Sequence, residues 1–155
     1  MSRLQIHEDD LTGKNIANLL REHLENMHEI TPPESVHALD IEALRSPDIT
    51  FFSAWDGEEL VGCGALKELS STSGEIKSMR TAKAYRRQGV ASKILEHIIK
   101  EAQRRGYDCL YLETGAFGEF APARALYIRY RFEYRSLFAD YAQDPNSVFM
   151  MKKLA

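Results

Sequence analysis

Between Glu75 and Ala102 the chain runs from a strand-like segment through a basic, glycine-containing turn into a strongly amphipathic helix, and this succession most constrains the fold. Glu75-Ile76-Lys77-Ser78-Met79-Arg80-Thr81 alternates in character as a strand does, whereas Val90, Ala91, Ile94, Leu95, Ile98, Ile99 and Ala102 share one helical face. Arg86-Arg87-Gln88-Gly89 joins the two. A helix opening at Gly89 leaves its first N–H groups without intrahelical partners, and the aligned peptide dipoles add positive charge where those groups point. Such a terminus binds phosphate. Gly89 lets the backbone come close to a ligand, and Arg86 and Arg87 supply charge suited to phosphate oxygens. A basic pair before a glycine also occurs at ordinary helix starts; the strand on one side and the helix on the other favour the anion site.

The glycine spacing excludes two familiar nucleotide folds, because neither G-x-G-x-x-G nor G-x-x-x-x-G-K-[ST] is present. What stands there is R-x-x-G-x-A, carried by Arg86, Gly89 and Ala91 and followed by Ile94 and Leu95. In this the chain resembles the GNAT superfamily of N-acetyltransferases, whose corresponding segment wraps the pyrophosphate of acetyl-coenzyme A. Residues 32–39, 62–69, 75–81 and 144–150 look like a bacterial branch of that superfamily, the YsnE-like acetyltransferases.

A chain of 155 residues buries roughly two-thirds of its unfolded surface, enough for a single core without staples, so one domain over residues 1–155 is expected. The net charge of −3 carries no basic field for nucleic acid or anionic membranes. No secretory leader and no run of eighteen apolar residues is legible, and a cytoplasmic location is expected. Cys63 and Cys109 sit in apolar stretches and read as buried free thiols with nothing nearby to activate them. The five histidines show no H-x-x-x-H spacing and the cysteines no C-x-x-C, so no metal is expected.

Along the chain, residues 3–7 read as a strand and Thr12 as an N-cap before a helix carrying Ile16, Leu19, Leu20, Leu24 and Met27 and ending near His28. Residues 36–44 form a shorter helical region that begins afresh at Asp40 in one reading. Strands over 49–55 and 59–66 flank Asp56-Gly57, a hairpin signal, and 70–74 turns the chain into the 75–81 strand. Arg104, Arg105 and Gly106 end the long helix. A strand over 109–114, a helix opening near Pro122, a strand starting at 132–135 and one over 148–153 follow. The order β-α-α-β-β-β-α-β-α-β-β is that of GNAT domains. The resemblance therefore implies an α/β (α+β) fold with a central mixed, mostly antiparallel sheet of seven strands, splayed at its middle and flanked by four helices.

It also implies the chemistry residue by residue. Acetyl-CoA is the co-substrate. Met79, Arg80 and Thr81 lie on the strand whose free backbone groups pair with the pantetheine arm, with the Met79 backbone facing the developing oxyanion; losing one such donor costs ~3–4 kcal/mol of barrier. Arg86, Arg87, Gln88, Gly89, Val90 and Ala91 hold the pyrophosphate. An alkylammonium with a pKa of roughly 10 must lose a proton before it attacks. Glu75 matches the glutamate used as general base in the histone-acetyltransferase branch and reads equally as a solvated carboxylate at a strand's start; Glu113 is a second candidate. Tyr127 matches the proton-donating tyrosine of an L-Y-x-x-x-G-F motif, here Leu126-Tyr127-Ile128-Arg129-Tyr130-Arg131-Phe132. Two positions depart from the family: Arg131 replaces the usual glycine, and Phe120 stands where many relatives carry a coenzyme-binding asparagine.

For the acceptor, the first two helices offer Met27, His28, Glu29, Ser35, His37 and Arg45, a mixed set that points to a small polar amine; acidic groups such as Glu29 would attract a cationic amine, whereas Arg45 or Arg80 would bind a carboxylate. Direct transfer from acetyl-CoA is the leading reading, a non-catalytic acyl-CoA or CoA-binding sensor the alternative. A homodimer whose second copy closes the acceptor site is compatible with both.

Overall fold

The strand-like segments pair into one seven-stranded sheet in the computed structural model, which describes residues 4–33, 40–139 and 141–154. In chain order the elements are β1 (Leu4–Glu8), α1 (Lys14–Ile30), α2 (Ile41–Leu44), β2 (Ile49–Asp56), β3 (Glu59–Ser70), β4 (Ser73–Thr81), α3 (Val90–Arg104), β5 (Cys109–Gly115), α4 (Ala121–Arg129), β6 (Glu133–Arg135) and β7 (Ser147–Lys153). The spatial order is β1-β2-β3-β4-β5-β7-β6, and only β4 and β5 run parallel. The expected class and element order are both present.

Several boundaries move for identifiable reasons. Thr12 does not cap α1: its N–H and hydroxyl both bond the Asp10 carboxylate, and Gly13 becomes the N-cap. The helix runs to Ile30, where Thr31 takes an extended conformation ahead of Pro32. Asp40 caps α2, its carboxylate accepting from the Ala43 N–H at 2.9 Å, whereas residues 36–39 of the expected helix lie outside the described residues, as does Arg3 of the expected first strand. The β2–β3 hairpin turns at Gly57-Glu58, with Gly57 at φ +62. Last in sequence, β7 pairs with β5 on one side and β6 on the other, leaving the three-residue β6 at the edge.

The sheet carries an apolar layer on each face. Ile16, Leu19 and Leu20 of α1 and Leu44 of α2 pack with Leu11 and with Phe51 of β2 on one side, and Val90, Ile94, Leu95 and Ile98 of α3 join Leu126 and Tyr127 of α4 on the other. The β2–β3 register slips at Val61, which has no partner between Gly62–Ala54 and Leu60–Trp55, so Val61 joins the α3 layer while Cys63 and Ala65 join the α1 layer. Cys63 is buried as expected, its thiol pushed up to about 12 by burial, but Cys109 is half-buried because β5 begins there. No helix among the described residues is long and apolar enough to cross a membrane.

Candidate active site

The parallel pairing of β4 and β5 stops at Ile76 opposite Leu112, although β4 continues to Thr81 and β5 to Gly115. Beyond that point the two strands separate. On its other edge, β4 is in register with β3 at Lys77–Ala65 and Arg80–Cys63, so Ser78 and Met79 together oppose the single residue Gly64. This is a β-bulge, and within it Ser78 takes a positive φ of +56. Ser78 and Met79 are thus out of register with both neighbouring strands. Cys63 Sγ donates to the Ser78 carbonyl at 3.3 Å, and the Met79 side chain packs so close to Gly64 that a Cβ there would stand 2.7 Å from its sulfur.

A cleft of about 650 Å³ occupies the gap. Met79, Arg80 and Thr81 line one side, Arg86, Arg87 and Ala91 one end, and Glu113, Gly115 and Tyr127 the other side. After Thr81 a single 3-10 turn over Lys83–Tyr85 leads to Arg86. Arg87 and Gly89 are both left-handed, at φ +65 and +83, which turns the backbone into α3 without any side chain capping its terminus. The first bond of the helix runs from the Lys93 N–H to the Gly89 carbonyl, so the N–H groups of Val90, Ala91 and Ser92 precede the ladder. A Cβ at Gly89 would meet nothing within 4 Å. Gln88 donates to the Ala84 carbonyl at 3.3 Å, and the Val90 side chain is buried in the core, leaving Val90 its backbone alone for a ligand.

Glu75 is 2 % exposed, which removes the reading of a solvated carboxylate. Its Oε2 accepts from Tyr141 Oη at 2.6 Å and from Lys77 Nζ at 3.2 Å, and Lys77 also donates to Tyr141 Oη at 2.8 Å. Burial pushes the Tyr141 phenol up, and the charge of Glu75 adds to it. All three residues line the cleft. Lys77 was visible as the strand neighbour two residues on; Tyr141, distant in sequence, had no local signal.

Tyr127 reaches the cleft from α4, a helix held against β5 by Arg124, which donates to the carbonyls of Gly115 and Phe117 at 2.7 and 2.8 Å. The helix ends in a Schellman motif, with the Phe132 N–H on the Tyr127 carbonyl at 3.0 Å and the Arg131 N–H on that of Ile128 at 2.9 Å. Arg131 therefore sits in the glycine position at φ +71, and Phe132 lies edge-on to the Tyr127 ring at 5.6 Å. Burial, reinforced by the charge of Glu113, pushes the Tyr127 phenol above its ordinary value. Phe120 covers Gly115 so closely that a Cβ there would stand 2.1 Å from its ring.

The opposite wall comes from α1, whose last turns present His23, Asn26, Met27, Ile30 and Thr31. Arg80 turns its side chain to this helix, donating to Asn26 Oδ1 at 2.9 Å and Glu22 Oε1 at 3.0 Å. Of the residues expected around the acceptor, Met27 lines the cleft. His28 and Glu29 are exposed, Arg45 is engaged by Glu42 and the Leu11 carbonyl, and Ser35 and His37 lie outside the described residues. His23 took its place unannounced, because a histidine on the apolar face of α1 reads as core packing.

The pattern that defines the acetyltransferase (GNAT) family matches residues 14–132. The uncharacterized N-acetyltransferase YsnE of Bacillus subtilis is 58 % identical, covering 97 % of this chain and 100 % of its own. The uncharacterized N-acetyltransferase YedL of Escherichia coli is 48 % identical over 94 % and 91 %. Among solved structures, a Klebsiella pneumoniae protein assigned to the acyl-CoA N-acyltransferases superposes with a TM-score of 0.81 at 27 % identity, both chains covered in full.

Proposed function

Because this chain belongs to the acetyltransferase (GNAT) family, we propose that it moves the acetyl group of acetyl-CoA to a primary amine of a small polar molecule by direct attack, residues 1–155 acting as one cytoplasmic domain. The observation that carries this reading is the convergence on one cleft of the bulged strand at Met79, the open N-terminus of α3, Tyr127 and Glu75. The residues fit the coenzyme. The space above Gly89 and the uncapped α3 terminus suit a diphosphate, and the separated edges of β4 and β5 suit an extended arm that pairs with backbone.

When bound, acetyl-CoA supplies an acetyl thioester as the electrophile. Arg86 and Arg87 would supply charge for its diphosphate, and the N–H groups of Val90, Ala91 and Ser92, free of the α3 ladder, would hold the phosphates. The Met79 backbone is the donor for charge that grows on the carbonyl oxygen. Glu75, held by Lys77 and Tyr141, takes the proton that the attacking ammonium must lose, and Glu113, which also lines the cleft, is the second candidate. Tyr127 keeps its proton at Oη throughout the physiological range, because burial raises its pKa, and gives it to the departing thiolate.

The experiment is calorimetric titration with acetyl-CoA and CoA, followed by thiol release against a panel of primary amines. Coenzyme binding with amine-dependent release is expected, and Tyr127→Phe should lower kcat by about a hundredfold or more at nearly unchanged coenzyme affinity. An unchanged rate takes Tyr127 out of the mechanism; failure to bind either form of the coenzyme overturns the reading.

A further inference from the structure

Five buried side-chain atoms among the described residues have no hydrogen-bond partner: His23 Nδ1, Thr31 Oγ1, Ser78 Oγ, Arg80 Nε and Ser147 Oγ. The residues of the first four line the same cleft. Buried polar groups are ordinarily paired, so four exceptions gathered around one cleft mark a place that a ligand completes. His23 is 7 % exposed, Thr31 8 % and the Arg80 side chain 9 %, so bulk water does not serve them.

The chemistry of the four atoms narrows the ligand. Arg80 Nε carries a proton and a share of positive charge and can only donate, its two terminal nitrogens being taken by Asn26 and Glu22. Thr31 and Ser78 offer hydroxyl protons, and the His23 ring nitrogen donates or accepts according to tautomer. The wall is rich in donors and asks for an acceptor. A carboxylate, with two oxygens and about four lone-pair directions, satisfies several donors at once. Glu22 offsets the charge of Arg80, so the wall suits a monoanion better than a phosphate dianion. Glu75, Glu113 and Glu119 also line the cleft and supply negative charge. An ammonium toward these carboxylates and a carboxylate toward Arg80 describe a zwitterion.

We infer that His23, Thr31, Ser78 and Arg80 form a carboxylate subsite, and that the acceptor is an amine that also carries a carboxylate, the amino-acid class. This deepens the transferase reading above and rests on it for the identification of the bound molecule as acceptor.

The test uses CoA-loaded protein titrated calorimetrically with the proteinogenic L-amino acids and, for each, the matching carboxamide and decarboxylated amine. At least one amino acid should bind, with its amide and amine at least tenfold weaker. Thr31→Val keeps the backbone cap of α1 and removes one donor; Ser78→Ala removes another. Each should weaken the amino acid roughly tenfold and leave the matching amine unchanged. The inference falls if no amino acid binds, if amide or amine binds as well as the acid, or if the variants weaken acid and amine alike. Should CoA itself not bind, the transferase reading fails, and the same titrations on the free protein decide the subsite by the same outcomes.

Discussion

Arg131 holds a backbone conformation that usually falls to glycine, at φ +71 in the C′ position of α4, and an L-residue there carries a cost of ~1–2 kcal/mol. Arg131→Gly should therefore stabilise the protein by about 1 kcal/mol, seen as a higher urea midpoint with unchanged slope. His23 stores its energy differently. Burial and the nearby charge of Arg80 lower its pKa from 6.5 to about 4, so the folded chain favours the neutral ring. Its contribution is whole above pH 6.5 and drains as the pH falls through about 4, a loss of about 3 kcal/mol by pH 4. His23→Leu has no proton to take up; urea unfolding at pH 7 and pH 4 should show the wild type losing about 3 kcal/mol more than the variant. At this scale the sequence pointed to Tyr127 by its place in a motif and to Glu75 by its place on a strand. It was silent on Tyr141, whose hydroxyl meets Glu75 across 66 residues of chain.

At the scale of elements, the bulge in β4 governs what faces the cleft. Because side chains alternate, the extra residue at Ser78 lets Met79 point to α3 and Arg80 to α1, one to each apolar layer. Gly64 opposite the bulge is part of the device, since a Cβ there would stand 2.7 Å from Met79 Sδ and 2.9 and 3.0 Å from Ile94 and Ile98. Gly64→Val should cost about 1–3 kcal/mol by overpacking and weaken coenzyme binding through the displaced Met79. Gly57→Ala, on the distant hairpin at φ +62, should lower stability and leave coenzyme affinity alone. Urea unfolding paired with calorimetry separates the two. The strand itself was legible from its alternation. The bulge was not, because nothing in Lys77-Ser78-Met79-Arg80 marks the residue left out of the ladder.

On the scale of the molecule, one sheet holds two different walls apart, α1 on one face and α3 with α4 on the other, and the cleft opens where β4 and β5 cease to pair. Ligand bound to the folded state alone stabilises it by mass action, about 2.7 kcal/mol at a hundred times Kd. For a chain of this size CoA should then raise Tm by roughly 5–10 °C. Gly89→Asp places a carboxylate where the phosphates are expected, in space where a Cβ meets nothing within 4 Å. The variant should melt within a few degrees of the wild type without CoA and show little or no rise with it, as measured by a thermal shift assay.

The sequence by itself determined the order of the elements and the basic glycine turn that opens α3, because both rest on local rules: apolar periodicity sets helix and strand, and Gly89 after Arg86 and Arg87 fixes a basic helix terminus. Tertiary structure alone decided that Tyr141 and Lys77 bury Glu75, that Arg80 and His23 share a wall, and that β7 enters the sheet between β5 and β6. Those facts depend on contacts between residues far apart in the chain, and the unpaired donors of α1 and β4 show themselves only once packing has removed the water that would otherwise have met them.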